Sequence, residues 1–270
     1  MDREALRKLR LFLFDLDGTL YLGERLFPFT RSLLARLRES GRDYRFLTNN
    51  SSRSAADYAA RLTKMGVPAV PEDFITSAEA TMEYLREALP GRTLYVCGTA
   101  SLKAEFARAG ISVTEDPDAA EGIVMGYDTE LTYRKLTDLS RLLCQRPFIP
   151  YIATHPDLVC PTEFGSVPDC GSVCAMLETV SGRRPLVIGK PEARMPRLAM
   201  ARCGVAPEQC GVVGDRLYTD IKCGKNAGAR SILVLSGETT PEMLAKSPVQ
   251  PDLVLPDAGE ILSALEDETS

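Results

Sequence analysis

The sequence predicts an α/β fold built on a parallel sheet. Short apolar runs alternate with amphipathic helical stretches, which is the pattern of repeated strand–helix units. Several of these runs end in polar residues, and polar residues at the carboxyl ends of parallel strands are typical of a ligand site. The 270 residues show no internal repeat and no heptad pattern, which argues against repeat folds and coiled coils.

The first elements follow from apolar periodicity and from helix start and stop residues. Leu11–Phe14 is a continuous apolar run, as expected for a buried strand. Thr30–Ser40 places leucines on one face and is followed by Gly41, which predicts an amphipathic helix that ends there. Tyr44–Leu47 is the next predicted strand, and a helix with a serine N-cap then spans residues 54–65.

Strands and helices continue to alternate toward the C-terminus. The later predicted strands are Leu94–Cys97, Gly122–Met125, Phe148–Ala153, Leu186–Ile188, Gly211–Val213, Ile232–Leu235 and Asp252–Leu255. Helices are predicted between them at residues 78–88, 100–109, 132–144, 171–181, 192–203, 219–227 and 257–265. This order is that of parallel strands joined by helical crossovers.

The composition narrows the function classes. Apolar residues make up 44% and charged residues 26%, an ordinary globular mixture. A net charge of −5 argues against a nucleic-acid or membrane-surface binder, which would carry a basic stripe. An anionic substrate stays open, because a bound metal ion and a lysine can invert the local potential.

The lengths of the apolar segments and the spacing of the cysteines are both typical of a cytoplasmic protein with reduced cysteines. Leu11–Phe14 is too short for a signal sequence, and no stretch approaches the roughly 20 apolar residues that span a bilayer. We therefore expect a cytoplasmic protein. The eight cysteines form no CxxC pair, and the single histidine is His155, so the sequence favours reduced, buried cysteines over a zinc site.

Two acids follow the first strand. Asp15 and Asp17 stand one residue apart and are followed by Gly18. A simple turn explains one aspartate and the glycine, but it does not explain why a buried strand presents two carboxylates at the sheet edge. This placement favours a functional interpretation.

Two further strand ends carry groups suited to an anion. Thr48, Asn49 and Asn50 combine hydroxyl and amide groups with the start of a helix, and Lys190 follows a strand within Gly-Lys-Pro. Taken singly, these segments are better explained as a polar turn with an N-cap and as a solvated surface lysine.

Another strand end carries two more acids, Asp215 and Asp220, after Gly211–Val213. Hard carboxylate oxygens at a strand end suit Mg²⁺, although a helix N-cap is the simpler explanation of either residue alone. The order DxDGT, TNNS, GKP and GDxxxTD, each at a predicted strand end, is difficult to produce by structural accident.

Together these segments resemble the motifs of haloacid dehalogenase-like (HAD) hydrolases. The chain reads DLDGTLYLG, FLTNNSS, IGKP and VGDRLYTDI at the four positions. It is most similar to the type IIA branch, which includes NagD-like, p-nitrophenyl-phosphatase-like and pyridoxal-phosphate-phosphatase-like proteins. The resemblance covers essentially the whole chain, and it implies a phosphatase that uses Mg²⁺ and acts on a small phosphorylated metabolite.

The resemblance also implies roles for the acids. Asp15 attacks phosphorus to form an aspartyl-phosphate, and Asp17 serves as general acid and base. The metal ligands are the Asp15 carboxylate, the Asp17 backbone carbonyl and Asp215, with Asp220 acting through water. Dehalogenases of this superfamily lack the second aspartate, so Asp17 points to phosphatase or phosphomutase chemistry.

The remaining motif residues are implied to bind phosphate. Thr48, Asn49 and Asn50 hold phosphoryl oxygens in this scheme, and Lys190 neutralises the remaining negative charge. No basic stripe accompanies them, so we expect neither a nucleic-acid nor a membrane partner. The resemblance also suggests a homodimer.

The motif spacing predicts two domains. About 142 residues separate Thr48 from Lys190, far more than one crossover needs. We expect a Rossmann-like doubly wound core at 1–78 and 187–270, with an inserted smaller α/β cap at 79–186. A cap in this position matches type IIA and disfavours the phosphomutase-like members.

Substrate selection is expected to come from the cap. The candidates are His155, Asp157, Asp169 and Cys170, in two segments that follow a strand and open a helix. Asp169 is either a substrate contact or a helix N-cap, and the N-cap is favoured. His155 fits a structural turn residue better than a catalyst, because Asp17 already supplies the acid–base group.

Other functions remain open at this point. A phosphotransferase would use the same aspartyl-phosphate on Asp15 with an acceptor other than water. A non-catalytic regulator would bind a phosphometabolite on this scaffold, although the complete acid and lysine set argues against it. The substrate itself is undetermined among sugar phosphates, nucleoside monophosphates, phosphoglycolate and pyridoxal phosphate.

Overall fold

In a computed structural model, which describes residues 3–162 and 164–266, the chain divides into two compact units. The first unit comprises residues 3–48, 55–75 and 190–266, and the second comprises residues 49–54 and 76–189. No helix in this part of the chain combines the length and the apolar character needed to cross a membrane.

The unit boundaries differ in detail from the sequence-based ones at 78/79 and 186/187. The main difference is residues 49–54, which the sequence places in the core and the structure places in the second unit. Ser51 explains the difference, because its hydroxyl lies 3.1 Å from the Thr154 hydroxyl and accepts the Tyr127 N–H at 2.9 Å. These are long-range contacts that no local pattern reveals.

The strands, in chain order, are β1 Leu11–Phe14, β2 Tyr21–Leu22, β3 Arg25–Leu26, β4 Asp43–Thr48, β5 Phe74–Thr76, β6 Leu94–Cys97, β7 Val113–Thr114, β8 Gly122–Met125, β9 Tyr151–Ala153, β10 Val159–Thr162, β11 Gly165–Pro168, β12 Leu186–Val187, β13 Cys210–Gly214, β14 Arg230–Val234 and β15 Leu253–Leu255. The helices are α1 Arg3–Arg7, α2 Thr30–Glu39, α3 Ala55–Lys64, α4 Ser77–Ala88, α5 Ala100–Arg108, α6 Tyr133–Gln145, α7 Cys170–Ser181, α8 Arg194–Cys203, α9 Lys222–Ala227, α10 Pro241–Lys246 and α11 Gly259–Glu266.

The first unit contains a six-stranded sheet in the order β15-β14-β13-β1-β4-β5. Strand β1 is central and pairs in parallel with β13 on one side and β4 on the other, so that Phe14 lies opposite both Val213 and Phe46. The chain therefore reverses its direction of travel across the sheet beside β1. In parallel sheets, this reversal point is where ligands bind, beyond the carboxyl ends of the strands.

Both faces of this sheet are covered. Phe12, Phe14 and Ile232 belong to a buried cluster with residues of α1, α2, α3 and α11. Leu233, the next residue along β14, packs instead with Leu217 and its neighbours. Because successive strand side chains point to opposite faces, these two clusters lie on opposite sides of the sheet. The predicted doubly wound α/β core is confirmed.

The second unit has its own parallel sheet, in the order β12-β9-β8-β6-β7. Helices α6 and α7 cover one face, where Leu142 and Leu177 pack with Ile123 and Tyr151 of the sheet. An antiparallel hairpin, β10–β11, lies between β9 and α7 in the chain. The insertion is thus an α/β unit with a separate core.

Some predicted elements were wrong in extent. The strand expected at Phe148–Ala153 begins only at Tyr151, and Phe148 is 95% exposed. Pro147 and Pro150 lack an N–H for a sheet ladder, so the preceding segment forms a turn instead. The segment after Asp17, for which no strand was predicted, folds as the β2–β3 hairpin.

Candidate active site

Asp15 occupies the centre of the carboxyl edge of the first sheet. It follows the last residue of β1, and its N–H donates to the Val213 carbonyl of β13 at 2.8 Å. Thr48 ends the neighbouring strand β4, and Asp215 follows β13. The parallel register of these strands therefore brings three of the sequence-predicted residues to one edge.

Lys190 is buried against this edge. Its ammonium group donates to Asp15 Oδ1 at 2.5 Å, to Asp220 Oδ1 at 2.6 Å and to the Leu47 carbonyl oxygen at 3.3 Å. A buried ammonium is tolerated only when its charge and its N–H groups are satisfied. Burial lowers the pKa of Lys190, but the two carboxylates outweigh burial and hold the pKa above its usual value.

Three carboxylates converge beside this lysine. One oxygen of each of Asp15, Asp215 and Asp220 lies within 4.8 Å of the others. Desolvation, together with the charges of Asp15 and Asp220, raises the pKa of Asp215 to about 8. Such a cluster holds more negative charge than a single lysine balances, so it suits a further cation.

Asp215 has the geometry of a metal ligand. Its Oδ2 accepts the Glu238 N–H at 2.6 Å, whereas its buried Oδ1 has no hydrogen-bond partner among the described residues. A buried, unsatisfied carboxylate oxygen is costly unless an ion or a water completes it. An all-oxygen donor set of this kind fits Mg²⁺.

Asp17 lies outside the carboxylate cluster. Its side chain is exposed at the turn that Gly18 forms with a φ of +77°. Partial desolvation raises the pKa of the Asp17 carboxyl, although the Gly23 N–H, Arg61 and Arg216 act in the opposite direction. A carboxyl that is exposed to solvent and has a raised pKa suits proton exchange with a bound molecule.

One segment of the site was missed at the sequence level. Residues 236–239 follow β14, and the Ser236 hydroxyl donates to the Gly18 carbonyl at 2.7 Å. The Thr239 hydroxyl donates to the Asp215 carbonyl at 2.5 Å. The signal was present in the sequence, because Ser-Gly-Glu-Thr-Thr is another polar run directly after a predicted strand.

Gly237 allows this segment to approach Asp215 closely. A Cβ at position 237 would overlap the Asp215 carboxylate. We expect Gly237→Ala to displace that carboxylate and to lower kcat/KM for p-nitrophenyl phosphate by about 100-fold. Met243→Ala, at an exposed position on the following helix α10, is the control and should retain native kcat/KM. Native kinetics in Gly237→Ala would contradict this account.

The predicted asparagines have contacts within the second unit. Asn49 Nδ2 donates to both carboxylate oxygens of Asp157, at 3.1 and 3.2 Å. Asn50 Oδ1 accepts the N–H and the hydroxyl of Ser52 at 3.0 and 2.7 Å. The Asn50 side chain thus closes a local turn, and the Asn49 amide is fixed in orientation by Asp157.

Three of the four predicted specificity residues are buried within the second unit. Asp169 is the N-cap of α7 and accepts the Cys170 N–H at 2.6 Å, so the favoured N-cap interpretation is confirmed. His155 is fully buried, with Nε2 2.9 Å from Asp169 Oδ1. Cys170 is also fully buried, whereas Asp157 is partly exposed.

A chain of hydrogen bonds runs through His155. Its Nδ1 lies 2.8 Å from the Thr154 hydroxyl, which contacts the Ser51 hydroxyl, which accepts the Tyr127 N–H. The Tyr127 N–H can only donate, and the Asp169 carboxylate can only accept. When the histidine is neutral, all the hydrogen bonds between these two ends therefore run in one direction, from Ser51 to Thr154 and from Thr154 to His155 Nδ1. Hydrogen bonds that are aligned in this way polarise and strengthen one another.

This chain predicts a stability effect at Thr154. Thr154→Val keeps the shape of the side chain but leaves Ser51 and His155 without their shared partner, so we expect a loss of about 1–3 kcal/mol in the free energy of unfolding. Thr154→Ser keeps the hydroxyl and should lose less. Urea denaturation of both variants measures the difference, and a valine variant as stable as the serine variant would show that the chain is energetically neutral.

One potential ligand atom of each of His155, Asp157 and Asp169 also lies within 4.8 Å of the other two. In this cluster the polar atoms are already engaged, since His155 uses both ring nitrogens and Asp157 uses both oxygens. The Asp15 cluster differs, because Asp215 Oδ1 has no hydrogen-bond partner in the part of the chain that the structure describes. The chemistry of the donor atoms therefore favours a metal ion at the Asp15 cluster.

Comparisons with known proteins agree with this geometry. Residues 12–112 match the family described as haloacid dehalogenase-like hydrolase, and residues 187–261 match a family described as HAD-hydrolase-like. The chain is 31% identical over 261 residues to the acid sugar phosphatase of Staphylococcus aureus, covering 97% of this chain and 100% of the relative.

Two solved structures with the same fold are named as phosphatases. The 4-nitrophenylphosphatase of Thermotoga maritima is 42% identical, with a TM-score of 0.91, over 97% of this chain and 99% of the other. The glycerol phosphate phosphatase of Mycobacterium tuberculosis, in complex with magnesium, is 31% identical, with a TM-score of 0.87, over 97% of this chain and 77% of the other.

Proposed function

This chain belongs to the haloacid dehalogenase-like hydrolases, in their NagD-like type IIA branch, and we propose that it is a Mg²⁺-dependent phosphatase of a small phosphorylated metabolite. The observation that carries the proposal is the convergence of Asp15, Asp215 and Asp220 around the buried Lys190. Relatives of similar length that are named phosphatases support the same reaction class.

We assign Asp15 as the nucleophile. Its carboxylate attacks phosphorus, the ester P–O bond breaks, and an aspartyl-phosphate forms on Asp15. Lys190, already 2.5 Å from this carboxylate, neutralises negative charge on the transferring group. Thr48, at the end of the adjacent strand, is assigned to hold phosphoryl oxygens. Asn49 and Asn50 are also assigned to phosphate binding, as predicted from the sequence.

Asp17 is assigned the proton transfers. It gives a proton to the leaving-group oxygen as the P–O bond breaks, and it then takes a proton from the water that hydrolyses the aspartyl-phosphate. Its exposed position supports this role, since the group must reach the bound molecule, and the upward direction of its pKa favours the protonated form that donates.

The metal site is assigned to the same edge of the first unit. Asp15, the Asp17 backbone carbonyl and Asp215 would hold Mg²⁺, and Asp220 would act beside them while it pairs with Lys190. When bound, Mg²⁺ offsets the repulsion between the Asp15 carboxylate and a phosphate dianion. The unsatisfied Asp215 Oδ1 supports this assignment.

We assign substrate selection to the second unit, as the cap predicted from the sequence. Of the four candidates there, Asp157 is the partly exposed one, whereas His155, Asp169 and Cys170 are buried and so are assigned structural roles. A panel of phosphorylated metabolites, ranked by kcat/KM, would identify the substrate.

The proposed function is tested by phosphate release. We expect Mg²⁺-dependent hydrolysis of p-nitrophenyl phosphate that stops on addition of EDTA and returns with excess Mg²⁺. A phosphotransferase would instead give phosphorylated glycerol when glycerol is added. Binding of inorganic phosphate without any turnover of the metabolite panel would identify a non-catalytic regulator and overturn the proposal.

A further inference from the structure

A short hairpin follows β1 and lies beside Asp17. Its strands β2 and β3 have two residues each, and the chain turns at Gly23 with a φ of +59°. A two-stranded ribbon of this size is too small to be stable by itself. Contacts from the rest of the first unit must therefore hold it in place.

Arg61 on α3 makes such contacts. Its Nη2 donates to the Gly23 carbonyl oxygen at 2.7 Å, and its guanidinium lies 4.9 Å from the centre of the buried Tyr21 ring. A planar guanidinium can stack on a ring and donate in its own plane at the same time. Arg61 therefore holds both the first strand and the turn of the hairpin.

The hairpin in turn contacts the loop that carries Asp17. The Gly18 N–H donates to the Tyr21 carbonyl oxygen at 2.7 Å, and Asp17 forms an isolated parallel β-bridge with Tyr21. Movement of the hairpin would therefore shift the backbone that carries the Asp17 side chain.

We propose that Arg61 is a positioning residue for proton transfer by Asp17, acting through Gly23 and Tyr21 of the hairpin. This inference rests on the proposed function, in which Asp17 protonates the leaving-group oxygen as that oxygen takes the electron pair of the broken P–O bond. A poorly placed acid slows the departure of basic leaving groups most, because weakly basic ones depart without a proton.

The test compares two aryl phosphates that differ by one nitro group. For Arg61→Leu we expect kcat/KM to fall about 10–100-fold with phenyl phosphate and less than about threefold with p-nitrophenyl phosphate. Arg61→Lys keeps the charge and one donor, so it should lose less with phenyl phosphate. Lys64→Leu removes a positive charge from an exposed position on the same helix and should leave both values unchanged.

The outcomes separate this inference from the proposed function. Equal losses with the two esters in Arg61→Leu, or no loss with either, would overturn the positioning role while Mg²⁺-dependent turnover stands. If Arg61→Leu does not fold, the same comparison in Arg61→Lys decides. If the native protein hydrolyses neither ester, the proposed function and the inference fail together.

Discussion

Asp15→Asn should lower kcat for p-nitrophenyl phosphate by about 10⁴-fold or more. The carboxamide has nearly the size of the carboxylate, but it is neutral and a poor nucleophile, so attack on phosphorus fails while the site keeps its shape. Release of p-nitrophenol at saturating Mg²⁺ measures the effect. Asp43→Asn, at the exposed start of β4, is the matched control and should retain native kcat.

The covalent step can be tested in the same pair of variants. After mixing with ³²P-labelled substrate and quenching in acid, the native protein should carry label that hydroxylamine removes, as expected for an acyl phosphate. Asp15→Asn should carry none. Label that persists in Asp15→Asn, or turnover within about tenfold of native, would move the nucleophile to another residue.

The residues of the first unit's site could be predicted because parallel strands end at one sheet edge. Asp15, Thr48 and Asp215 each follow a strand that short apolar runs identify, and β13 and β4 flank β1 in the sheet. Register alone then brings them together. Lys190 was predicted because it follows a strand, but that strand, β12, belongs to the sheet of the second unit. Its burial between Asp15 and Asp220 therefore depends on contacts that no local pattern encodes.

What the sequence did not reveal depends on contacts between distant residues. The assignment of residues 49–54 to the second unit rests on Ser51 and Thr154, which are 103 positions apart in the chain. The role of Arg61 likewise depends on a hairpin whose strands are too short to show an alternating pattern. Tertiary contacts decide such features, and local propensity does not.

Asp215→Asn should have opposite effects on catalysis and on metal-free stability. It removes one of three clustered charges and a proposed metal ligand, while an amide oxygen can still accept the Glu238 N–H. Because desolvation and the neighbouring charges of Asp15 and Asp220 raise the pKa of Asp215 to about 8, its ionised form is unfavourable in the metal-free fold. We therefore expect a higher Tm without metal and loss of Mg²⁺-dependent activity.

Thermal melts with and without Mg²⁺ measure this effect. For the native protein, Mg²⁺ at about 100 times its Kd should add roughly 2.7 kcal/mol to the free energy of unfolding. For a protein of this size, that raises Tm by roughly 5–10 °C. Asp215→Asn should show little or no such shift. A full Mg²⁺ shift in the variant would exclude Asp215 as a metal ligand.

Asp220→Asn is the informative comparison, because its stability effect should have the opposite sign. Asp220 also pairs with the buried Lys190 at 2.6 Å and accepts the Arg216 N–H at 3.1 Å. Removing its charge leaves the buried Lys190 ammonium with one carboxylate partner. Breaking a buried ion pair in this way lowers the free energy of unfolding by about 3–5 kcal/mol. We expect a lower metal-free Tm in Asp220→Asn and a higher one in Asp215→Asn. That difference would identify Asp220 as the carboxylate that neutralises Lys190 and Asp215 as the carboxylate that binds the metal ion.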